Sequence, residues 1–250
     1  LHGACLNMEN NDLVLVMERI FGEPLHHFVA RGPAGVERCK SVEGVCQALM
    51  YLHSRRPPVV HGDLKPSNII IEGRGPGAHA KLMDFGLARL VTSSATPGGG
   101  TYRWAAPGVF GRNGRPDPKD DAFAVGLVLF FVATGHKPFE GLGDRIIKLL
   151  AYGVGGAPPA LASLAWPPGM SEFAAHARPV ADTCTRRLAA DRLSVEQVHG
   201  QLQAYGGHGG GPQAGASPRG RAPAGLWRTI SEVRQAWQQG PGAPAAEGTG

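Results

Sequence analysis

His61-Gly62-Asp63-Leu64-Lys65-Pro66-Ser67-Asn68, followed downstream by Asp84-Phe85-Gly86, decides the fold of this chain. The first run supplies a carboxylate, an ammonium two residues later and a side-chain amide five residues after the carboxylate. The second run adds another carboxylate. Phosphoryl transfer uses this inventory: a group to orient a hydroxyl, a cation for the phosphate and two oxygen ligands for a metal. No Gly-rich phosphate loop and no strand-borne lysine stand ahead of these motifs.

Between the two runs, Ile69-Ile70-Ile71 reads as a short β-branched strand and Ala80–Met83 as a second. Gly73–His79 is a Gly/Pro turn. A hairpin with both ends near one point brings Asn68 and Asp84 together, as a shared metal requires. Upstream, Leu13–Met17 is a strand after the polar turn Asn7–Asp12, with residues 1–6 as its partner. Glu18–Pro24 reads as a connector and Leu25–Val29 as a short helix. Ser41–Ser54 is an amphipathic helix, with Val42, Val45, Cys46, Leu49, Met50 and Leu52 at helical spacing and Ser41 as its cap.

Downstream, residues 87–107 are polar and Gly-rich. Asp121–Thr134 is an apolar, buried helix, and Ile146–Tyr152, Ser171–Leu188 and Ser194–Tyr205 are further helices. Gly206–Gly225 is a low-complexity linker. Leu226, Ile230, Val233 and Trp237 then share one helical face.

At 250 residues the chain can bury one large core and a small second one. Its 37 glycines and 21 prolines crowd residues 72–79, 97–118, 153–170 and 206–250, a loop and tail bias rather than a disordered chain. The net charge of +5 comes from no dense basic block, so nucleic acid is not an expected partner. The four cysteines lack C-x-x-C spacing and read as buried reduced thiols, not a metal site. The longest apolar run, Ala122 to Ala133, is too short to cross a bilayer. With no signal peptide, the expected location is cytoplasmic, or the cytoplasmic part of a larger protein.

Taken together, these motifs resemble the eukaryotic-type protein kinases, in particular the tyrosine-kinase-like branch of Ser/Thr kinases, over roughly residues 1–205. The resemblance implies an α+β, protein-kinase-like fold, mostly the helical C-lobe, with only two strands and the hinge of the N-lobe sheet. The boundaries that follow are an N-lobe remnant and hinge at 1–20 and a C-lobe at 21–205. A linker at 206–225, a short amphipathic helix at 226–239 and a disordered tail at 240–250 complete the chain. The domain is then N-terminally truncated.

By the same resemblance, Asp63 would orient the substrate hydroxyl and accept its proton, and Lys65 would contact the transferring phosphoryl group. Asn68 and Asp84 would hold Mg²⁺ against the phosphates of ATP. Thr101 would hydrogen-bond the catalytic Asp and Lys. Met17 would border the adenine pocket. Glu18, Arg19 and Ile20 would form the hinge, with Leu25 and Ile70 packing below the adenine ring. Asp121 resembles the helix carboxylate that holds the catalytic loop, and His61 the residue that packs on Phe85. Asp-Leu-Lys-Pro-Ser-Asn and Gly100-Thr101 are similar to Ser/Thr kinases. The implied partners are ATP and a protein presenting Ser or Thr. The helix at 226–239 is read as docking on the large lobe, lying exposed, or meeting a partner.

Three departures from the family's pattern shape the expectation of activity. Gly62 replaces the Arg that receives an activation-loop phosphate, so a bidentate charge-assisted contact is lost. Pro107-Gly108 replaces Pro-Glu, which leaves a late Arg, read as Arg192, without that carboxylate; a broken buried pair costs about 3–5 kcal/mol, so either Arg192 finds carbonyls or water or this region is weakened. The strands carrying the phosphate-positioning lysine are missing, and Lys40, the one lysine before the catalytic loop, belongs to the large lobe. The chain as given is therefore expected to transfer phosphate weakly or not at all. One alternative is a pseudokinase that serves as a binding or scaffolding module. Another is a small-molecule phosphotransferase resembling the aminoglycoside and choline kinases, which share His-Gly-Asp-x-x-x-x-Asn. The segment Gly100–Pro107 argues against it, because it looks like a platform for a peptide.

Overall fold

The computed structural model describes residues 2–7, 12–90, 102–107, 109, 116–143, 146–147 and 164–208. They divide into two compact units with a boundary after Ile20. In the first unit, β1 (Gly3–Asn7) and β2 (Asp12–Val16) pair antiparallel, Gly3 opposite Val16 and Asn7 opposite Asp12.

The second unit opens with β3 (Gly22–Pro24), inside the stretch expected to be a connector. Its third residue leads directly into α1 (Leu25–Ala30). β3 pairs with β5 (Ile69–Glu72), and β5 with β6 (His79–Leu82), in an antiparallel sheet of order β3-β5-β6. Gly22 makes β3 feasible: a Cβ there would lie 2.4 Å from the carbonyl oxygen of Ile71. Glu72 secures the strand's start by accepting from the amide of Phe21 at 3.2 Å. β4 (Val59–Val60) pairs with β7 (Arg89–Leu90) in a separate two-stranded sheet.

α2 runs from Gly35 to His53, so it starts six residues before the expected Ser41. The expected cap is wrong because Glu37 already satisfies the helix start, accepting from the Ala34 amide at 3.1 Å. Ser41 lies within the helix and donates to the Arg38 carbonyl at 2.7 Å. Of the expected apolar stripe, Val42, Val45, Cys46, Leu49 and Leu52 are buried and Met50 is half-buried, and Cys39 extends the buried face.

α3 (Pro118–Thr134) is buried throughout residues 120–133. Asp117 caps it by accepting from the Lys119 amide at 2.9 Å, Pro118 takes the first helical position, and Gly135 ends it at φ 77°. α3 packs on α2 and on α4 (Glu172–Cys184), while α2 also packs on α5 (Val195–His208). The α3–α4 approach requires Gly126, because a Cβ there would lie 2.6 Å from the Cβ of Cys184. α4 starts as expected, capped by the Ser171 hydroxyl, but ends at Cys184 rather than Leu188. α5 continues to His208, past the expected linker boundary. Of the helix expected at 146–152, residues 146–147 are described and helical. The helix expected at 226–239 and the tail beyond it lie outside the described residues. Among the described residues, no helix is long and apolar enough to cross a membrane.

Cys39, Cys46 and Cys184 are buried, as expected of reduced core thiols; Cys5 is instead exposed.

Candidate active site

The loop that carries the first motif leaves β4 at His61 and ends in a 3-10 turn, Pro66–Asn68, that feeds β5. Its backbone is held from below by Asp121 in the first turn of α3, which is 1% exposed. One carboxylate oxygen of Asp121 accepts from the His61 amide at 2.9 Å, and the other from the Gly62 amide at 3.0 Å. His53, at the end of α2, places its Nε2 2.8 Å from the same carboxylate. A carboxylate in the first helical turn is also favoured by the helix dipole.

His61 is fully buried and ties the loop to the end of β6. Its Nε2 lies 3.1 Å from the Met83 carbonyl, and its ring packs on Phe85 with centroids 5.2 Å apart. Its Nδ1 accepts from the Asp63 amide at 3.3 Å. Both ring nitrogens are thus engaged with backbone, which makes His61 a spacer rather than an acid or base.

The Asp63 carboxylate is the meeting point of the motif. Lys65 Nζ lies 2.6 Å from Oδ2, and Asn68 Nδ2 donates to the same oxygen at 3.1 Å and to the Asp63 carbonyl at 2.9 Å. With its amide nitrogen engaged there, Asn68 Oδ1 accepts from the Ser67 hydroxyl at 3.5 Å and retains a lone pair for a ligand. The Met83 amide donates to the Asn68 carbonyl at 2.8 Å, extending the pairing of Ile69 with Leu82 by one step. The hairpin therefore sets Asn68 opposite Met83 and puts Asp84 immediately beyond it, as its spacing suggests. Asp84 is exposed, has φ 59° and accepts from the Gly86 amide at 3.1 Å. One buried amide oxygen and one exposed carboxylate fit Mg²⁺, which takes one or two protein oxygens and completes its shell with phosphates and water.

Leu25 is 1% exposed, and Ile70, half-buried on β5, pairs with Pro24, so the sheet brings these two residues together. Met17, Glu18, Arg19 and Ile20 follow β2 in the first unit, with Met17 60% exposed. Thr101 lies outside the described residues.

Arg192, expected either to find carbonyls or water or to weaken this region, finds carbonyls and also a carboxylate that the sequence reading did not assign to it. Its side chain is fully buried, and Nη1 lies 3.3 Å from Oδ1 of Asp120. The guanidinium also donates to the carbonyls of Arg186 (2.8 Å), Lys119 (3.0 Å) and Arg187 (3.0 Å), and lies over the Phe123 ring at 5.0 Å. Sequence reasoning missed Asp120. The available signal was the Asp120-Asp121 doublet at a helix start, where one carboxylate faces the catalytic loop and its neighbour turns to the other side.

The protein kinase domain family matches residues 3–201. The chain belongs to the protein kinase family. Over 169 residues this kinase domain is 34% identical to Lectin-domain containing receptor kinase VI.3 of Arabidopsis thaliana, covering 61% of the chain and 24% of that protein. Over 179 residues it is 32% identical to Mitogen-activated protein kinase kinase kinase 7 of Homo sapiens, covering 67% of the chain and 28% of that protein. The chain thus spans about a quarter of the length of these curated relatives. The α+β architecture is that of a kinase domain, and ATP and Mg²⁺ are the family's substrate and cofactor.

Proposed function

We propose that this kinase domain directs the γ-phosphoryl group of ATP to a Ser or Thr hydroxyl of a protein substrate. The observation that carries the reading is the convergence of Lys65 and Asn68 on the Asp63 carboxylate. The shared Oδ2 is neutralised by Lys65, while Oδ1 remains to accept a hydrogen bond from the incoming hydroxyl. Lys65 then stands beside the hydroxyl's path, where it can contact the phosphoryl oxygens as they approach. Asn68 Oδ1 and the Asp84 carboxylate would hold Mg²⁺, which supplies charge neutralisation for the phosphates when bound. The resemblance of Gly100-Thr101 to the Ser/Thr kinase pattern, in which the Thr hydrogen-bonds the catalytic Asp and Lys, favours Ser/Thr substrates. By the family resemblance, Met17, Glu18, Arg19 and Ile20 would be the gatekeeper and hinge residues for adenine, and Leu25 and Ile70 the apolar residues for its ring. The segment 21–205 serves as the C-lobe and 1–20 as the end of the N-lobe and hinge.

Catalysis in this family is mostly positioning and electrostatics. Lys40 is the one lysine before Asp63, and it lies on α2. Gly62, where the family's pattern has an Arg, supports a second reading, a pseudokinase that serves as a binding or scaffolding module. Differential scanning fluorimetry with ATP, with and without Mg²⁺, tests the site; a metal-dependent rise in Tm that disappears in Asp84→Asn is expected. No such rise in the wild-type chain refutes the proposal. Phosphoamino-acid analysis of a generic protein substrate then separates Ser/Thr transfer from Tyr transfer, and a bound nucleotide with no transfer selects the second reading.

A further inference from the structure

One cation outside the catalytic loop is committed to a single task. Nη1 of Arg103 donates to the carbonyls of Pro138 (2.6 Å) and Phe139 (2.7 Å), and Nη2 to that of Leu142 (2.8 Å). These are short, charge-assisted bonds, and they join segments 35 to 39 residues apart in the chain. The neighbouring Trp104, 8% exposed, packs edge-on against Phe131 of α3 with centroids 6.3 Å apart. Segment 102–107 is thus fastened at successive residues, Trp104 to α3 and Arg103 to the loop that follows α3.

One residue of that loop, Phe139, is held in a conformation its side chain does not favour. Phe139 has φ 54°, a left-handed setting that is an outlier for a bulky residue, and Gly141 has φ 83°. Such a backbone persists only where its surroundings over-determine it. Three carbonyls directed at one planar fork provide that determination. A lysine cannot reproduce it, because an ammonium offers no rigid set of parallel donors.

We propose that Arg103 is a positioning residue for the protein substrate. It latches loop 138–142 to segment 102–107, so that the surface receiving the substrate's polypeptide is one rigid piece. This role rests on the kinase reading above, in which the run ending at Pro107 is the peptide platform. The carbonyls that Arg103 holds belong to loop 138–142 and not to Asp63, Lys65, Asn68 or Asp84, so it acts on the protein substrate and not on ATP.

The test uses the full 250-residue chain, with Arg103→Gln and Arg103→Lys, and fluorescein-labelled dephosphorylated casein as the protein probe. Amide hydrogen exchange in residues 139–143 is expected to accelerate about tenfold or more in both variants. The His61 and Gly62 amides, held by Asp121, keep their wild-type rates. Casein binding by fluorescence anisotropy weakens about tenfold while the Mg²⁺-dependent ATP response is unchanged; where turnover is measurable, KM for casein rises and KM for ATP does not. Unchanged exchange in 139–143, or casein and ATP affinities falling together, overturns the proposal. A wild-type chain that responds to Mg·ATP but does not bind casein overturns it while the kinase reading stands. Absence of the ATP response removes the kinase reading itself and the substrate role with it.

Discussion

The Asp120 carboxylate lies 3.3 Å from Nη1 of Arg192, with both side chains shielded from solvent. This pair couples the first turn of α3 to the segment after α4. The next residue, Asp121, holds the amides of His61 and Gly62. A charge pair on one side of the helix start therefore steadies the carboxylate that shapes the catalytic loop on the other.

Removing one partner leaves the other charged and buried. Asp120→Ala is expected to destabilise the fold by about 3 kcal/mol. For a domain of this size that corresponds to a fall in Tm of about 6–12 °C. Adding Arg192→Met, which replaces the pair with apolar packing, restores a substantial part of the loss. A thermal melt of Asp120→Ala within 2 °C of wild type, by roughly the same scaling, would show the pair to be dispensable.

Gly62 has φ 76°, and a Cβ there would lie 3.0 Å from the Leu87 carbonyl oxygen. Gly62→Ala therefore meets both a strained backbone and a tight contact. A cost of about 1–2 kcal/mol is expected from the left-handed conformation. Urea denaturation measures it, and an unchanged midpoint would refute the strain. The absence of the phosphate-receiving Arg is thus matched to a local backbone that suits glycine.

Asp84 also sits in the left-handed region, at φ 59°, with its side chain exposed. The proposed Mg²⁺ site, rather than packing, accounts for a carboxylate there. Asp84→Gly relieves the conformation and is expected to raise stability by up to about 1 kcal/mol, while abolishing the Mg²⁺-dependent response to ATP. If stability fell, or if the response survived, the trade between strain and metal binding would be disproved.

Burial pushes the thiols of Cys39 and Cys184 up to about 12 and that of Cys46 well above its ordinary range. The folded pKa exceeds the unfolded value, so the folded chain retains protons that the unfolded chain loses. The resulting stability is complete below the ordinary value of 9.0 and is lost as pH rises from there towards 12. Chemical denaturation between pH 8 and pH 10.5 should show a midpoint that declines through roughly this window. At neutral pH, iodoacetamide is expected to label Cys5 and to spare Cys39, Cys46 and Cys184. Labelling of all four cysteines at one rate would contradict the packing of α2 against α4.

Local rules made much of the site legible. The run His61–Asn68 is a short span in which side chains meet through a single turn, so Asp63, Lys65 and Asn68 had to be near neighbours. The β-branched run after it and the turn beyond implied a hairpin, and a hairpin of that length returns Asp84 to Asn68. Apolar spacing marked α2, although its start was misplaced, because Glu37 caps from inside the helix and leaves no Ser or Thr signal at the boundary. β3 was read as a connector because three residues carry no periodicity; it becomes a strand through pairing with β5.

The sequence by itself determined that Asp63, Lys65 and Asn68 lie close together and that the larger unit is mostly helical, because these follow from residue type and short spacing. Tertiary structure alone decided that Arg192 meets Asp120, that Arg103 gathers three carbonyls from a distant loop, and that Gly22 and Gly126 permit close approach of neighbouring elements. Those contacts join residues far apart in the chain. Their partners are chosen by how α3 and α4 pack and where their loops emerge, and no pattern of nearby residues encodes that choice.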